Sequence, residues 1–446
     1  MFKVYSPTAI LGYGFSEESF ENALRLKPDV IAVDAGSTDP GPYYLGKGIS
    51  FVERYNTKRD LFYLLKMTKS LDIPLLIGSA GGCGTKSSVD WTFEIIKEIC
   101  KENNWKFRIA KVYTDISKDF VKKALLEGNI KTLDGSKEFL EKDLERVTNI
   151  VAQIGIDPFI EAYKKDVNIV LCGRSYDPSP FAVLPILYGY PKGLSLHLGK
   201  ILECGAIAAE PGSGRDGIMG VVYEDHFEVF PLIKTRKCTV NSVAAHTLYE
   251  KSDPYYLHGP DGVIDLTSTQ FIQKDENTVI IEGSKFIDSK EKWLKIEGAA
   301  LLGIRGVCIA GIRDPIMLSQ IEDILSEHQK IVDDVFKEYE GKYKIYFHLY
   351  GKNGVMGEME KEEKISHEIG LIIEVIGENI EIAKSILGFL RSTLLHYGYK
   401  GRISTAGNLA FPFSPSEVIW GEAYSFVVYH LIKLQDYDFP VLIEEV

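Results

Sequence analysis

The chain of 446 residues has no run of 18 consecutive apolar residues, so it offers no segment long enough to cross a bilayer as a helix. Its opening stretch, MFKVYSPTAI, lacks the apolar core of a secretory signal, and a cytoplasmic location is expected. Cysteine is scarce: six residues, Cys83, Cys100, Cys172, Cys204, Cys238 and Cys308, with no C-x-x-C spacing. That argues against a disulfide framework and against a zinc ribbon. Positive charge is in deficit, with 51 Lys and Arg against 63 Asp and Glu and a net charge of −12. A nucleic-acid partner needs a basic face to neutralise phosphates, so neither nucleic acid nor an acidic membrane surface is expected. An anionic small molecule needs only a few local donors and stays open. No G-x-G-x-x-G, H-E-x-x-H or H-x-H occurs, which disfavours nicotinamide or flavin chemistry and the common zinc-hydrolase pattern. Low-complexity linkers and internal repeats are also missing.

What is present is an ordinary globular composition, 45% hydrophobic and 26% charged, in a chain long enough for about two domains. The first half alternates short apolar strands with amphipathic helices. FKVYSP, DVIAVDAG, IPLLIGSAGG, FRIAKVYTD and VNIVLCGRS read as five strands, the middle ones apolar on both faces as buried parallel strands are. Between them, SEESFENALRLK reads as a helix with Ser16 as N-cap, and KRDLFYLLKMTKSL, SSVDWTFEIIKEICKEN and KDFVKKALLEGN as further helices. Residues 141–165 read as one long helical region broken at Pro158. This is an α/β pattern: a Rossmann-like domain over 1–220, a mostly parallel sheet flanked by helices. After about residue 220 hairpins and helices come in blocks, which predicts a second, α+β domain over 221–446 packed on the first.

Ligands of parallel sheets bind at the carboxyl ends of the strands. Four such ends here carry glycines and hydroxyls: SPTAILGYGF, DAGSTDPGP, GSAGGCGTKSS and GRSYDPSPF. The third departs from the phosphate loop G-x-x-x-x-G-K-[ST] because Thr85 separates Gly84 from Lys86, which counts against an ATP-using enzyme. It still leads into a helix N-terminus, where backbone N–H groups and the dipole favour an anion. The substrate-binding candidates are therefore Ser37, Thr38, Ser79, Gly81, Gly82, Arg174 and Asp177, with Arg174 suited to a carboxylate by its forked guanidinium. Acid–base candidates are Asp34, at the end of a buried strand, Asp39, Glu203 and His246. His246 and Glu250, four apart in SVAAHTLYE, fall on one face of an expected helix, as half a metal site or an acid–base pair. Each has a plainer reading: Asp34 as acceptor for a glycine loop, Asp39 as a turn residue before Pro40, Arg174 and Asp177 as a pair bracing their loop, His246 as a satisfied core histidine. Cys100 and Cys172 read as packing residues, Cys83 as a thiol at a helix start. The small residues of HLGKILECGAIAAEPGSG predict close packing against a neighbour.

Taken as a set, these loops resemble the acyclic terpene utilisation AtuA-like family. The resemblance rests on AVDAGSTDPGPYYLG, IGSAGG, CGRSYDPSPF, GKILECGA, CTVNSVAAHTLYE, IAGIRDP, YGKNGVMG and GRISTAGNLAFPFSPSE, which span nearly the whole chain. It implies a place in the breakdown of acyclic terpenes or branched organic acids through acyl-CoA intermediates, and it carries over no catalytic residues. The expectation is an enzyme of hydratase, dehydratase or related lyase or isomerase type acting on a hydroxy (di)carboxylate or its CoA thioester. CoA would then enter as part of the substrate, and the acids leave room for a divalent metal, whose identity no spacing gives. The competing expectation is a binding or scaffold subunit that works with a small partner protein. A homo-oligomer is expected in either case.

Overall fold

The computed structural model describes residues 1–133, 135–136, 138–434 and 437–446, and these divide into two compact units. The first is Met1–Ala300 with Phe426–Val446, the second Leu301–Ser425. The division thus lies 80 residues beyond the change of pattern expected at 220, and the last segment returns to the first unit.

The first unit is organised by a ten-stranded mixed sheet. Its centre is the five strands expected from the sequence, in the order Phe2–Ser6, Val30–Asp34, Leu75–Gly78, Ile169–Cys172, Arg108–Val112, all parallel. Val30–Asp34, Leu75–Gly78 and Ile169–Cys172 are buried at every residue, because helices cover both faces. Phe20, Leu61, Leu64, Leu65, Ile95, Ile96 and Ile99 pack on one face; Phe159, Phe181, Val183, Leu198, Ile201 and Leu202 pack on the other. Ser16 does cap the helix Glu17–Leu26, accepting from the Ser19 N–H. The hairpin Ile218–Val222 and His226–Pro231 adds to the edge at Phe2–Ser6 in antiparallel sense, and Val279–Glu282 and Gln270–Gln273 continue it. Strands read as the start of a second domain therefore extend the first sheet. Val441–Glu445 closes the other edge against Arg108–Val112.

The region 141–165 is not one helix. It folds as a short helix Glu141–Glu145, a strand Val147–Gln153 and a helix Asp157–Tyr163. The strand pairs with residues 295–300, and its VTNIVAQ sequence is rich in β-branched residues that suit this ladder. A separate three-stranded sheet, Tyr256–Gly259, Gly262–Asp265 and Lys285–Asp288, completes the unit.

In the second unit residues 304–312 pair antiparallel with Ile369–Gly377, which pairs in turn with Tyr343–Tyr350. The helices Ile321–Val335 and Ile380–His396 cover this sheet, with Ile324, Leu325, Ile386, Leu387 and Leu390 in its core. His328 is buried there, its Nδ1 2.8 Å from the Ile324 carbonyl, as its place on the apolar stripe implies. Among the described residues, no helix is long and apolar enough to cross a membrane.

Candidate functional site

At the carboxyl ends of the parallel strands a cavity of about 930 Å³ opens within the first unit. Its wall includes Asp39, Arg174, Tyr176, Asp177, Lys200, Glu203, Lys251 and Lys295, with the three-stranded sheet contributing Tyr256, His258, Val263 and Ile287. The volume falls in the range of small-molecule sites.

Arg174 is the hub, although only 3% of it is exposed. Its Nε donates to Glu297 Oε2 at 2.9 Å, and one terminal nitrogen donates to Asp177 Oδ1 at 2.8 Å, Ser79 Oγ at 3.1 Å and the Ser175 carbonyl at 2.6 Å. Glu297 is fully buried; Lys295 Nζ lies 2.8 Å from its Oε1, which also accepts from Thr38 Oγ1 at 3.1 Å. Burial pushes the Glu297 carboxyl up, but the Arg174 guanidinium and the Lys295 ammonium outweigh burial and hold it at about 2. The glycine loop fixes this hub mechanically. Gly84 has φ +66°, and a Cβ there would lie 2.1 Å from the Arg174 nitrogen, so only glycine lets the two loops touch. The Gly84 carbonyl accepts from the Arg174 N–H at 3.2 Å.

Around the hub stand three carboxyls. Asp34 ends its strand with Oδ1 buried and unpartnered. Burial first, then the charges of Asp177 and Glu203, raise its carboxyl well above the usual range against the pull of Arg174 and the Gly36 N–H. Glu203 is buried and paired with the Lys200 ammonium three residues earlier. Burial raises its carboxyl to about 7, opposed by Lys200 and reinforced by Asp177. Lys200 and Glu203 reach the cavity from the end of the helix Lys192–Leu202, which packs closely as its small residues predict: a Cβ on Gly199 would lie 2.4 Å from the Pro178 carbonyl oxygen.

The other candidates are placed more plainly. Asp39 is exposed on the cavity rim and accepts from Ser37 Oγ at 2.5 Å, within one turn. Ser79 and Thr38 hold Arg174 and Glu297 and do not line the cavity. Gly81 and Gly82 do not line it either; they turn the loop against Ser88 and the Phe51 ring. The N-terminus of the helix Lys86–Asn103 is capped by Thr85, whose Oγ1 accepts from the Ser88 N–H at 3.3 Å. Cys83 is buried with Sγ 3.3 Å from Ser88 Oγ. His246 lies in the helix Val240–Thr247, but Glu250 lies beyond its end with φ +59°, so the two do not share a helix face. Glu250 lines the cavity and His246 is buried beside Glu203 and Cys204.

Sequence reasoning missed Lys200, Lys251, Lys295 and Glu297. The signals were there: Lys200 precedes Glu203 by three residues at a helix end, and Lys295 and Glu297 alternate with apolar residues at the start of a strand that carries only one other charge, Arg305. Lys251 and Lys131 differ from the other cavity cations. Among the described residues neither has a carboxylate partner: Lys251 donates to Tyr176 Oη at 3.2 Å, and Lys131 sits 3.8 Å over the Trp293 ring.

The fold and site define an α/β protein with a cavity at the carboxyl edge of a parallel sheet, walled by the buried Glu203, the Arg174-braced Asp177 and a set of lysines. The chain belongs to the acyclic terpene utilisation family AtuA, whose model matches residues 63–212 and 234–406, and membership supports a role in acyclic terpene catabolism. No curated protein and no solved structure matches it significantly.

Proposed function

We propose that the chain is a hydro-lyase or related isomerase acting on a branched hydroxy acid, free or as its CoA thioester. The observation that carries this reading is the meeting, on one cavity wall, of a braced carboxylate, Asp177, with Lys251, which forms no ion pair with a carboxylate among the described residues. Lys251, with the Tyr176 hydroxyl beside it, is the anchor for an anionic substrate group. Asp177 reaches the cavity while Arg174 fixes its orientation at 2.8 Å, the geometry of a general base held by a second group. Asp34 lies behind the wall with an unpartnered buried oxygen, so the Asp34–Asp177 cluster holds a proton and a proton acceptor together. Dehydration of a hydroxy acid needs both: the proton next to the carbonyl goes to Asp177, the member that lines the cavity, and the proton held on Asp34 passes by way of Asp177 to the departing hydroxyl, which leaves as water.

The test is to incubate the purified chain with a panel of branched hydroxyacyl-CoA thioesters, enoyl-CoA thioesters and free hydroxy acids, following the ultraviolet band of the conjugated product. Turnover is expected, and Asp177→Asn is expected to lower kcat/KM by about a hundredfold or more. Substrate binding without turnover across the panel would replace this reading with that of a binding subunit.

A further inference from the structure

Glu203, Cys204 and His246 have a feature that acid–base chemistry leaves unused. A Glu203 carboxylate oxygen, the Cys204 sulfur and a ring nitrogen of His246 lie within 4.8 Å of one another. His246 is only 6% exposed, and its Nε2 is buried with no hydrogen-bond partner, an orphan that costs about 1–3 kcal/mol unless something binds it. We propose that these three residues form a binding site for a divalent transition-metal ion of the zinc class, with a fourth position facing the cavity that Glu203 lines. The proposal goes beyond the lyase reading and stands or falls separately from it.

The donor set suits such an ion. One thiolate, one imidazole and one carboxylate select zinc and its neighbours over magnesium or calcium, and three protein ligands with one position left open is the pattern of catalytic zinc. The scaffold holds the donors in place. Glu203 and Cys204 follow each other at the end of the helix Lys192–Leu202, and His246 comes from the last turn of the helix Val240–Thr247 packed against it. Thr239 caps that second helix, and the Tyr249 ring stacks on the imidazole at 5.7 Å and 12°, fixing its plane. Bond lengths of about 2.0 Å to nitrogen and 2.3 Å to sulfur place tetrahedral donors about 3.5 Å apart, so side-chain rotation has about an ångström to close.

Binding through Cys204 displaces the thiol proton to solvent as the sulfur takes the ion. Lys200 engages one oxygen of Glu203 and leaves the other for the ion. Its positive charge opposes any cation, which favours an ion that bonds strongly to sulfur and nitrogen over one held by charge alone.

The experiment uses the full chain, stripped with a chelator and titrated with Co²⁺ and then Zn²⁺, without substrate. One equivalent of Co²⁺ is expected, with the intense near-ultraviolet band of cobalt–thiolate bonding. Cys204→Ser is expected to abolish that band, and His246→Gln to weaken binding about tenfold or more, with the fold checked by circular dichroism. A second measurement needs no variant. Cys204 is the one partly exposed cysteine, the other five being buried, so alkylation mapped by mass spectrometry is expected to spare it with Zn²⁺ and modify it after chelation. Binding far below one equivalent, or a Co²⁺ spectrum and Cys204 reactivity indifferent to metal, would overturn the proposal. Metal binding with no turnover would leave the site standing and remove the lyase reading; turnover by the metal-free chain with no metal uptake would do the reverse.

Discussion

Replacing Glu297 by Gln keeps the side chain's shape but removes a charge that two buried or half-buried cations depend on. In the native chain its carboxyl sits at about 2 instead of 4.5. A depression of that size corresponds to about 3 kcal/mol of stability at neutral pH, since each pH unit is worth about 1.4 kcal/mol. The sign follows from the direction: a lowered carboxyl contributes fully above pH 4.5, and its contribution is lost as pH falls from there toward 2. In Glu297→Gln the loss is direct, because Arg174 is left buried with one counter-ion fewer, a change that typically costs about 3–5 kcal/mol. The first unit has about 320 residues, so unfolding it carries an entropy of about 0.7 kcal/mol per degree, and the variant is expected to melt about 4–7 °C lower at pH 7. Differential scanning calorimetry of both chains at pH 7, 5, 4 and 3 measures this. The gap is expected to narrow steadily below pH 4.5. A gap under 1 °C at pH 7, or one unchanged down to pH 3, would refute the reasoning.

Asp34→Asn should act in the opposite sense. The Asp34 carboxyl is raised, so its native state holds a proton that the unfolded chain releases above about pH 4, and stability falls as pH climbs from there toward the raised value. The amide escapes that loss, and its melting temperature is expected to exceed the parent's by a margin that grows from pH 4 upward; a lower melting temperature at every pH would refute it. Lys251→Met removes an anchor that has no carboxylate partner among the described residues, so KM for an anionic substrate is expected to rise about tenfold with kcat changing less, read from steady-state kinetics. Gly84→Ala forces a Cβ to 2.1 Å from the Arg174 nitrogen at a positive φ, and is expected to cost about 3 kcal/mol or more in thermal unfolding, whereas Gly128→Ala, with nothing within 4 Å of its Cβ, should cost about 1 kcal/mol.

The parallel core was legible because its strands are apolar on both faces, a pattern that burial under two helical layers imposes. Val147–Gln153 was not, because its period is blurred by Thr148 and Asn149, whose side chains bond to the carbonyls of Gly46, Ala299 and Leu45. The unit boundary was misplaced for a related reason. A change from parallel to antiparallel pairing alters the sequence pattern without ending the sheet, and Ile218–Val222 pairs along the whole of Phe2–Ser6. At the site, Arg174, Asp177 and Glu203 could be named from strand-end and helix-end positions. Glu297 could not: it lies 123 residues from Arg174 in the interior of a strand, and only the three-dimensional fold brings them together. Likewise no spacing links Glu203 and Cys204 to His246.

The return of the chain to its first unit has a consequence for the order in which the protein is made. Tyr429 and Leu431 line the cavity, and Val441–Glu445 supplies the edge strand beside Arg108–Val112, yet both are synthesised after the whole of Leu301–Ser425. A nascent chain that has already emerged through Ala300 carries Arg174, Asp177, Glu203 and Glu297 but still lacks a wall of the cavity. The pocket is therefore finished only after the whole second unit has been made, and a shortened chain that ends before Phe426 would lack the part of the cavity wall that Tyr429 and Leu431 supply.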